Sequence, residues 1–395
     1  MSKYNFDKVI DRQGTCAVKI DAMLNRFGRS DLTSMWIADM DFAVCPEIVE
    51  SLKQRIDHPI YGYAMAKDEF WQSIINWLDT RHGFKVTREE ITYIPGVVKG
   101  IALVVNYFTN PGDKIIIQPP VYHPFKNVIE GNGRVTLNNP LILSDNYRYE
   151  MDFDHLTKII VEEKPKMIIL CNPHNPGGIR WDNATLQRLA SLCKAHNVLV
   201  VSDEIHADLV LNGKRHHQFA SISQEARDIC ITLGAPSKTF NIPGLVSSWV
   251  IVQNEQLREP FFNWLSVNEF NSPTFIATIA TEAAYTYGEE WLDEALRYIE
   301  GNLDFMIEFF KDNIPQITPV RPQASFLIWL DCRRLGLSQE QLVDLFINKA
   351  RLALNDGAMF GSEGEGFMRM NIACPRSVLI NALTSLANAV KSIAQ

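Results

Sequence analysis

Four short stretches of this chain carry residue types that could act together chemically. Asp203 ends the apolar run in Val200-Val201-Ser202-Asp203-Glu204-Ile205-His206. Ligands of open α/β sheets bind at the carboxyl ends of strands, and an acid placed there is partly desolvated and needs a cationic partner. Lys238, in Gly234-Ala235-Pro236-Ser237-Lys238-Thr239-Phe240, follows another apolar run, Ile229–Leu233. A lysine in such a pocket can lose its proton and condense with a carbonyl carbon. Cys171-Asn172-Pro173-His174-Asn175-Pro176-Gly177-Gly178 is a rigid turn whose asparagine amides could donate to an oxyanion. In Tyr93-Ile94-Pro95-Gly96-Val97-Val98-Lys99-Gly100 a strand ends and Gly96 opens a helix. The free amide N–H groups of a helix start make a phosphate site. Taken singly, each stretch has a plainer reading. Asp203 could be a helix cap or a salt-bridge partner, Lys238 a solvated loop lysine, the Asn-Pro pairs a tight turn, and Gly96 an ordinary strand-to-helix link.

Taken together they form one pattern. An aldehyde cofactor with a phosphate needs an amine to hold it, an acid under its ring nitrogen, a donor to its phenolic oxygen and a cup for the phosphate. Pyridoxal 5′-phosphate (PLP) is such a cofactor, and an acid that keeps its pyridine nitrogen protonated makes it an electron sink.

These residues must be positioned by a sheet. Short apolar runs at Ile91–Ile94, Lys114–Gln118, Met167–Cys171, Val198–Ser202, Ile229–Leu233 and Trp249–Val252 read as strands covered on both faces. Helical periods at Glu47–Ile56, Phe70–Leu78 and Asn183–His196 separate them. The expected fold is α/β, with a mainly parallel sheet flanked by helices and a smaller α+β domain. After residue 288, helices Glu289–Asn313, Gln339–Ala350 and Arg376–Ala394 flank two strands, Ser325–Asp331 and Met368–Ala373. The expected division is a large domain over 45–287 and a small domain from 1–44 plus 288–395.

Bulk properties bound the function. The chain has 395 residues, 46% of them hydrophobic and 21% charged, with a net charge of −8. That length suits two packed lobes, and no basic stripe favours nucleic acid. The opening residues Met1–Asp7 hold no apolar run, so no secretory leader is expected, and Ile101–Val105 is too short to span a membrane. Seven scattered cysteines without a CxxC argue against a disulfide framework or a zinc site, and the expected location is the cytoplasm.

At this point the sequence resembles the fold type I PLP enzymes of the class I/II aminotransferase superfamily, and within it the cystathionine β-lyase type of C–S lyase. The likeness runs from Trp36-Ile37-Ala38-Asp39-Met40-Asp41-Phe42 to Arg369-Met370-Asn371-Ile372-Ala373. Glu204-Ile205-His206 and Ala38-Asp39-Met40-Asp41-Phe42 favour the lyase branch over ordinary aminotransferases. The resemblance implies that Lys238 holds the cofactor and shuttles the α-proton, that Asp203 pairs with the pyridine nitrogen and that Asn175 donates to the phenolic oxygen. It implies that Tyr122 stacks on the ring, and that Gly96, Val97, Val98 and Ser237 cup the phosphate. His206 stands near the phenolic oxygen where many relatives carry tyrosine. Arg369 would bind the substrate carboxylate, beside the backbone of Ile37 and Ala38. Tyr61 would reach the phosphate of a neighbouring subunit, which implies a homodimer. Two positions depart from the aminotransferase pattern. Val246 replaces a phosphate-contacting arginine, as the lyase branch also tends to do, and Ala235 replaces a serine. The implied activity is α,β-elimination from a sulfur amino acid to a thiol, pyruvate and ammonia. An aminotransferase and a PLP-bound regulatory or scaffold protein are the alternatives.

Overall fold

The computed structural model describes residues 3–393. Met1 and Ser2, within the stretch read for a leader, and Ala394, the expected end of the last helix, lie outside the described residues.

Seven strands build the larger sheet. They are β1 (Ile91–Ile94), β2 (Lys114–Ile117), β3 (Val135–Asn138), β4 (Met167–Cys171), β5 (Leu199–Asp203), β6 (Cys230–Gly234) and β7 (Ser248–Ile251), in the spatial order β1-β7-β6-β5-β4-β2-β3. Only β7 runs antiparallel, against β1 and β6. The reason for the continuous apolar runs is visible in the packing. Successive side chains of a strand face opposite sides. Ile168, Leu170 and Val200 feed one core, while Met167, Ile169, Cys171 and Val201 feed another on the opposite face. Both faces are dry, so no polar alternation survives in the sequence. The edge strand β3 is partly exposed and has no such run, which is why it was not expected.

The helices follow local signals. Helix α1 (Pro46–Ile56) starts on proline, whose missing N–H costs nothing there. Helix α2 (Asp68–His82) stops at Gly83, which takes a left-handed φ of 68°. Helix α3 (Val97–Phe108) begins at Gly96, and α4 (Asn183–Ala195) is capped by the Asp182 carboxylate accepting from the Thr185 N–H. A single turn, α5 (Pro236–Thr239), carries Lys238. Helices α6 (Phe275–Tyr287), α7 (Glu289–Asn313) and α8 (Arg376–Ile393) complete the frame.

The second sheet has four strands: β8 (Thr318–Val320), β9 (Leu327–Asp331), β10 (Asn355–Asp356) and β11 (Phe367–Asn371), in the order β8-β9-β11-β10. Two of these, β8 and β10, are too short for a period to show. The helix expected over Gln339–Ala350 is α-helical only to Asp344 and continues as a wider π-turn over Leu345–Lys349. In the N-terminal segment, Thr33–Ser34 pair in parallel with Leu352–Ala353.

Gly178 sits at a tight crossing between the two parts. Its carbonyl accepts from the N–H groups of Gln323 and Ala324 at 2.7 and 3.1 Å. Its φ is +63°, and an added Cβ would lie 2.4 Å from the Pro322 Cβ. Gly178→Ala therefore combines left-handed backbone strain with a rigid overlap and should destabilise the fold by at least about 2 kcal/mol. Urea unfolding should show a lower midpoint with an unchanged slope.

Candidate active site

The carboxyl ends of β4, β5 and β6 lie side by side, so Cys171, Asp203 and Gly234 reach one edge of the sheet. A cavity of about 300 Å³ opens there. It is lined by Ala38, Gly96, Val97, Val98, Tyr122, Asn175, Asp203, His206, Ser237 and Lys238, residues from six separate stretches of sequence that were singled out directly or by the resemblance. Pro95, Lys99, Cys171, Ile205, Pro243, Val246, Ser247 and Ser248 line it as well. Sequence reasoning missed most of these eight as site residues. Pro95, Lys99, Cys171 and Ile205 lie inside the stretches it chose, while Pro243, Ser247 and Ser248 follow Lys238 by five to ten residues and carry no sequence signal of their own.

Lys238 is withdrawn from bulk water, and this desolvation lowers its pKa from 10.5 to about 8, against the opposing pull of Asp39. Its Nζ donates to the Ala38 carbonyl at 2.7 Å. Asp203 is 4% exposed. Burial raises its carboxyl to about 7, although the Ile205 N–H donated to Oδ1 at 3.1 Å and the nearby Lys238 act in the other direction. A group that binds at Asp203 and carries a proton or a positive charge would therefore be held strongly. His206 is buried, which depresses its pKa to about 3, with Lys238 and Arg369 adding to the effect. The ring is neutral at physiological pH, and its Nδ1 has no partner.

Arg369 comes from β11, outside the larger sheet, yet it reaches this edge. Nη1 donates to the Asn175 Oδ1 at 2.9 Å, and Nη2 donates to the Asn355 Oδ1 at 2.6 Å and to the Trp36 carbonyl at 3.2 Å. The guanidinium also lies 4.8 Å from the centre of the Phe360 ring. Its Nε is buried without a partner. A buried charged donor left unpaired is costly, so an acceptor such as a ligand carboxylate is needed there. Because Arg369 takes the Asn175 oxygen, the amide N–H₂ of Asn175 is left as the donor. Asn355 and Phe360 had no recognisable sequence signal, since their roles exist only through Arg369.

At the start of α3, Gly96 adopts φ +108°, and the first amide N–H groups of the helix have no carbonyl within it. Ser237 is 8% exposed beside them. Tyr122 is partly buried, and burial followed by the Asp203 charge raises its phenol. Val246, at φ +52°, lines the cavity, and its carbonyl accepts from the Tyr93 hydroxyl. Ile37 is held by its carbonyl, which accepts from Asn371 Nδ2 at 2.7 Å. Tyr61 lies apart from this cavity. It is 57% exposed, donates to the Ile56 carbonyl at 2.6 Å and stacks on Phe275.

The residues fit PLP. They offer an amine of lowered pKa, an acid that holds a proton, an amide donor and free helix N–H groups. Among the described residues no group of three or more His, Cys, Asp or Glu side chains is arranged to hold a metal ion.

Comparison with known proteins agrees. The model of the family Aminotransferase class I and II matches residues 30–386. The chain is 42% identical over 386 residues to cystathionine beta-lyase PatB of Bacillus subtilis, covering 98% of this chain and all of that protein. It superposes on cystalysin from Treponema denticola, which contains a pyridoxal 5′-phosphate cofactor, with a TM-score of 0.95 at 33% identity and 99% of each chain covered. It superposes on the PLP-bound C–S lyase from Staphylococcus hominis with a TM-score of 0.91 at 32% identity, covering 98% of each chain.

The lowered pKa of Lys238 has a direct test. In cofactor-free protein, amine-directed labelling followed by mass spectrometry of the Lys238 peptide should rise with pH around a midpoint of about 8. A midpoint at the ordinary lysine value of 10.5 would contradict the desolvated environment.

Proposed function

The chain belongs to the aminotransferase class I and II family, and on that premise we propose that it is a PLP-dependent C–S β-lyase of the cystathionine β-lyase type. It takes a sulfur amino acid to a thiol, pyruvate and ammonia by α,β-elimination. The observation that carries this reading is Lys238, an amine of lowered pKa set on the same sheet edge as Asp203 and within reach of the Arg369 charge. The near full-length likeness to proteins named as C–S lyases supports the choice of reaction.

When bound, the cofactor supplies an electron sink for the pair left on the substrate α-carbon. Asp203 would hold the proton of the ring nitrogen, and the Asn175 amide and His206 would face the phenolic oxygen. Tyr122 would stack on the ring. Ser237 and the amides of Gly96, Val97 and Val98 would hold the phosphate, with no arginine at Val246 to help. Arg369 would take the substrate carboxylate, since its Nε has no partner within the protein and Nη1 uses only one of its two N–H groups on Asn175. The backbone of Ile37 and Ala38 would flank the substrate. Lys238, once free, removes the α-proton, because an amine with a pKa near neutrality is an effective base at physiological pH. The sulfur then leaves the β-carbon with the bonding pair and takes a proton to become a thiol. The released 2-aminoacrylate hydrolyses in water to pyruvate and ammonia.

The same reading includes a homodimer, with Tyr61 completing the neighbouring phosphate site. Ile60, Tyr61, Tyr63 and Met65 are all more than half exposed on one irregular segment, an apolar surface that a second copy would cover. It also divides the chain into a large domain, 45–287, and a small domain, 1–44 with 288–395, and places the protein in the cytoplasm, where its seven free thiols would stay reduced. No helix among the described residues is long and apolar enough to cross a membrane.

Purified protein loaded with PLP and given L-cystathionine should release pyruvate and a thiol with no keto acid present. Product formed only when a keto acid is supplied would make it an aminotransferase instead. Lys238→Ala should lose about 10²–10⁴-fold in kcat, as expected for loss of a general base. Arg369→Lys should lower kcat/KM by roughly tenfold or more, chiefly through KM, since a charge-assisted pair cannot be remade by a single ammonium.

A further inference from the structure

Lys238 sits on α5, a turn of only four residues. So short a helix has almost no stability of its own, so something else must fix the position of the amine. Two backbone bonds close the turn, Phe240 N–H to the Pro236 carbonyl and Ile242 N–H to the Ser237 carbonyl. Behind it, the Thr239 side chain is fully buried, and its hydroxyl donates to Oδ2 of Asp208 at 2.7 Å. Oδ1 of the same carboxylate accepts from Trp77 Nε1 at 2.9 Å and pairs with His82 Nε2 at 2.7 Å. Trp77 and His82 both belong to α2. The Trp77 ring packs on Phe240 at 5.4 Å and on Tyr285 of α6 at 5.3 Å, so this contact is part of the core.

From this geometry we propose that Asp208 is a positioning residue for Lys238, fastening the α5 turn to α2 through the Thr239 hydroxyl. The proposal rests on the reading that Lys238 carries the cofactor. Asp208 is 8% exposed and lies five residues beyond Asp203. It does not line the cofactor cavity. Burial alone would push its carboxyl up, but hydrogen bonds from His82, Thr239 and Trp77 outweigh that and hold it below the usual range. It is therefore an anion that accepts at both oxygens. A carboxylate suits this place better than an amide. Asparagine offers one acceptor oxygen: turned toward Trp77 and His82 it leaves its N–H₂ to donate to the Thr239 hydroxyl, reversing the bond that fastens the turn, and turned toward Thr239 it sets the N–H₂ against the Trp77 N–H. A role in packing alone would tolerate that near-isosteric change.

The test compares PLP-loaded wild type with Asp208→Asn, Thr239→Val and Thr239→Ser. Three quantities are read: the affinity of the apoprotein for PLP, the pH midpoint of the visible absorbance of the bound cofactor, and kcat against KM for L-cystathionine. Thr239→Val and Asp208→Asn should each weaken PLP binding and lower kcat by roughly tenfold, shift the absorbance midpoint, and leave KM within about twofold. Thr239→Ser keeps the hydroxyl and should restore most of each quantity. If Asp208→Asn does not fold, the valine and serine variants decide alone. Wild-type values in Thr239→Val, or equal damage in valine and serine, would overturn the proposal while leaving the lyase reading intact. A wild-type protein that takes up no PLP would overturn that reading and this proposal with it.

Discussion

Withdrawing an amine from water while keeping it ready to react is the constraint on which the rest of this site depends. An ammonium in an apolar cavity is expensive, and the expense is relieved by losing the proton. Here Lys238 is shifted toward that state, with the Ala38 carbonyl as its hydrogen-bond acceptor and Asp203 and Asp39 moderating the shift. Were the acids closer, they would return the proton to the lysine. Were they absent, burial and the nearby Arg369 charge would press Lys238 further toward the neutral form. The spacing of these charges therefore matters as much as their identity.

That spacing is maintained by a strap of backbone, residues 36–42, gripped from two sides. Asn371 donates to the Ile37 and Asp39 carbonyls at 2.7 and 2.6 Å, and Arg369 to that of Trp36. From the other side Asn241 donates to the Met40 and Phe42 carbonyls and accepts from the Met40 N–H. The strap's acids, Asp39 and Asp41, are paired with Arg12 and with the nearly inaccessible Lys19. These contacts present the Ala38 carbonyl to Lys238. The hydrogen-bond acceptor of the lysine is thus a main-chain group, which no side-chain substitution at position 38 removes.

Much of the larger sheet was legible because burial on both faces leaves unbroken apolar strands, and the chemical residues follow directly at their ends. Strand limits moved by one residue, as for Leu199–Asp203, without changing which residue reaches the edge. What could not be read was set by distant partners. The edge strand β3 and the short strands β8 and β10 have no period to detect. Asn355 and Phe360 matter only because Arg369 arrives between them from β11. Asp208 looks like any acid near a turn until Thr239, Trp77 and His82 converge on it. Tyr61, a reading that came only from resemblance, lies outside the cavity of its own chain.

Three acids within six residues, Asp203, Glu204 and Asp208, show how one strand end separates chemistry from support. Asp203 and Glu204 are successive, so the strand's alternation sends them to opposite sides. Asp203 faces the cavity with a single internal donor and retains a strong appetite for a proton. Glu204 faces away and is satisfied inside the protein by the Ser202 hydroxyl, the Phe219 N–H and His216 Nε2, all within 2.9 Å. Its charge also pushes the Asp203 carboxyl upward. Asp208, past the end of the strand, is satisfied by three donors of its own. The same functional group is thus reactive where partners are withheld and structural where they are supplied. The number of donors that each carboxylate finds within the fold assigns the roles, and the order of the residues along β5 determines which carboxylate is left wanting.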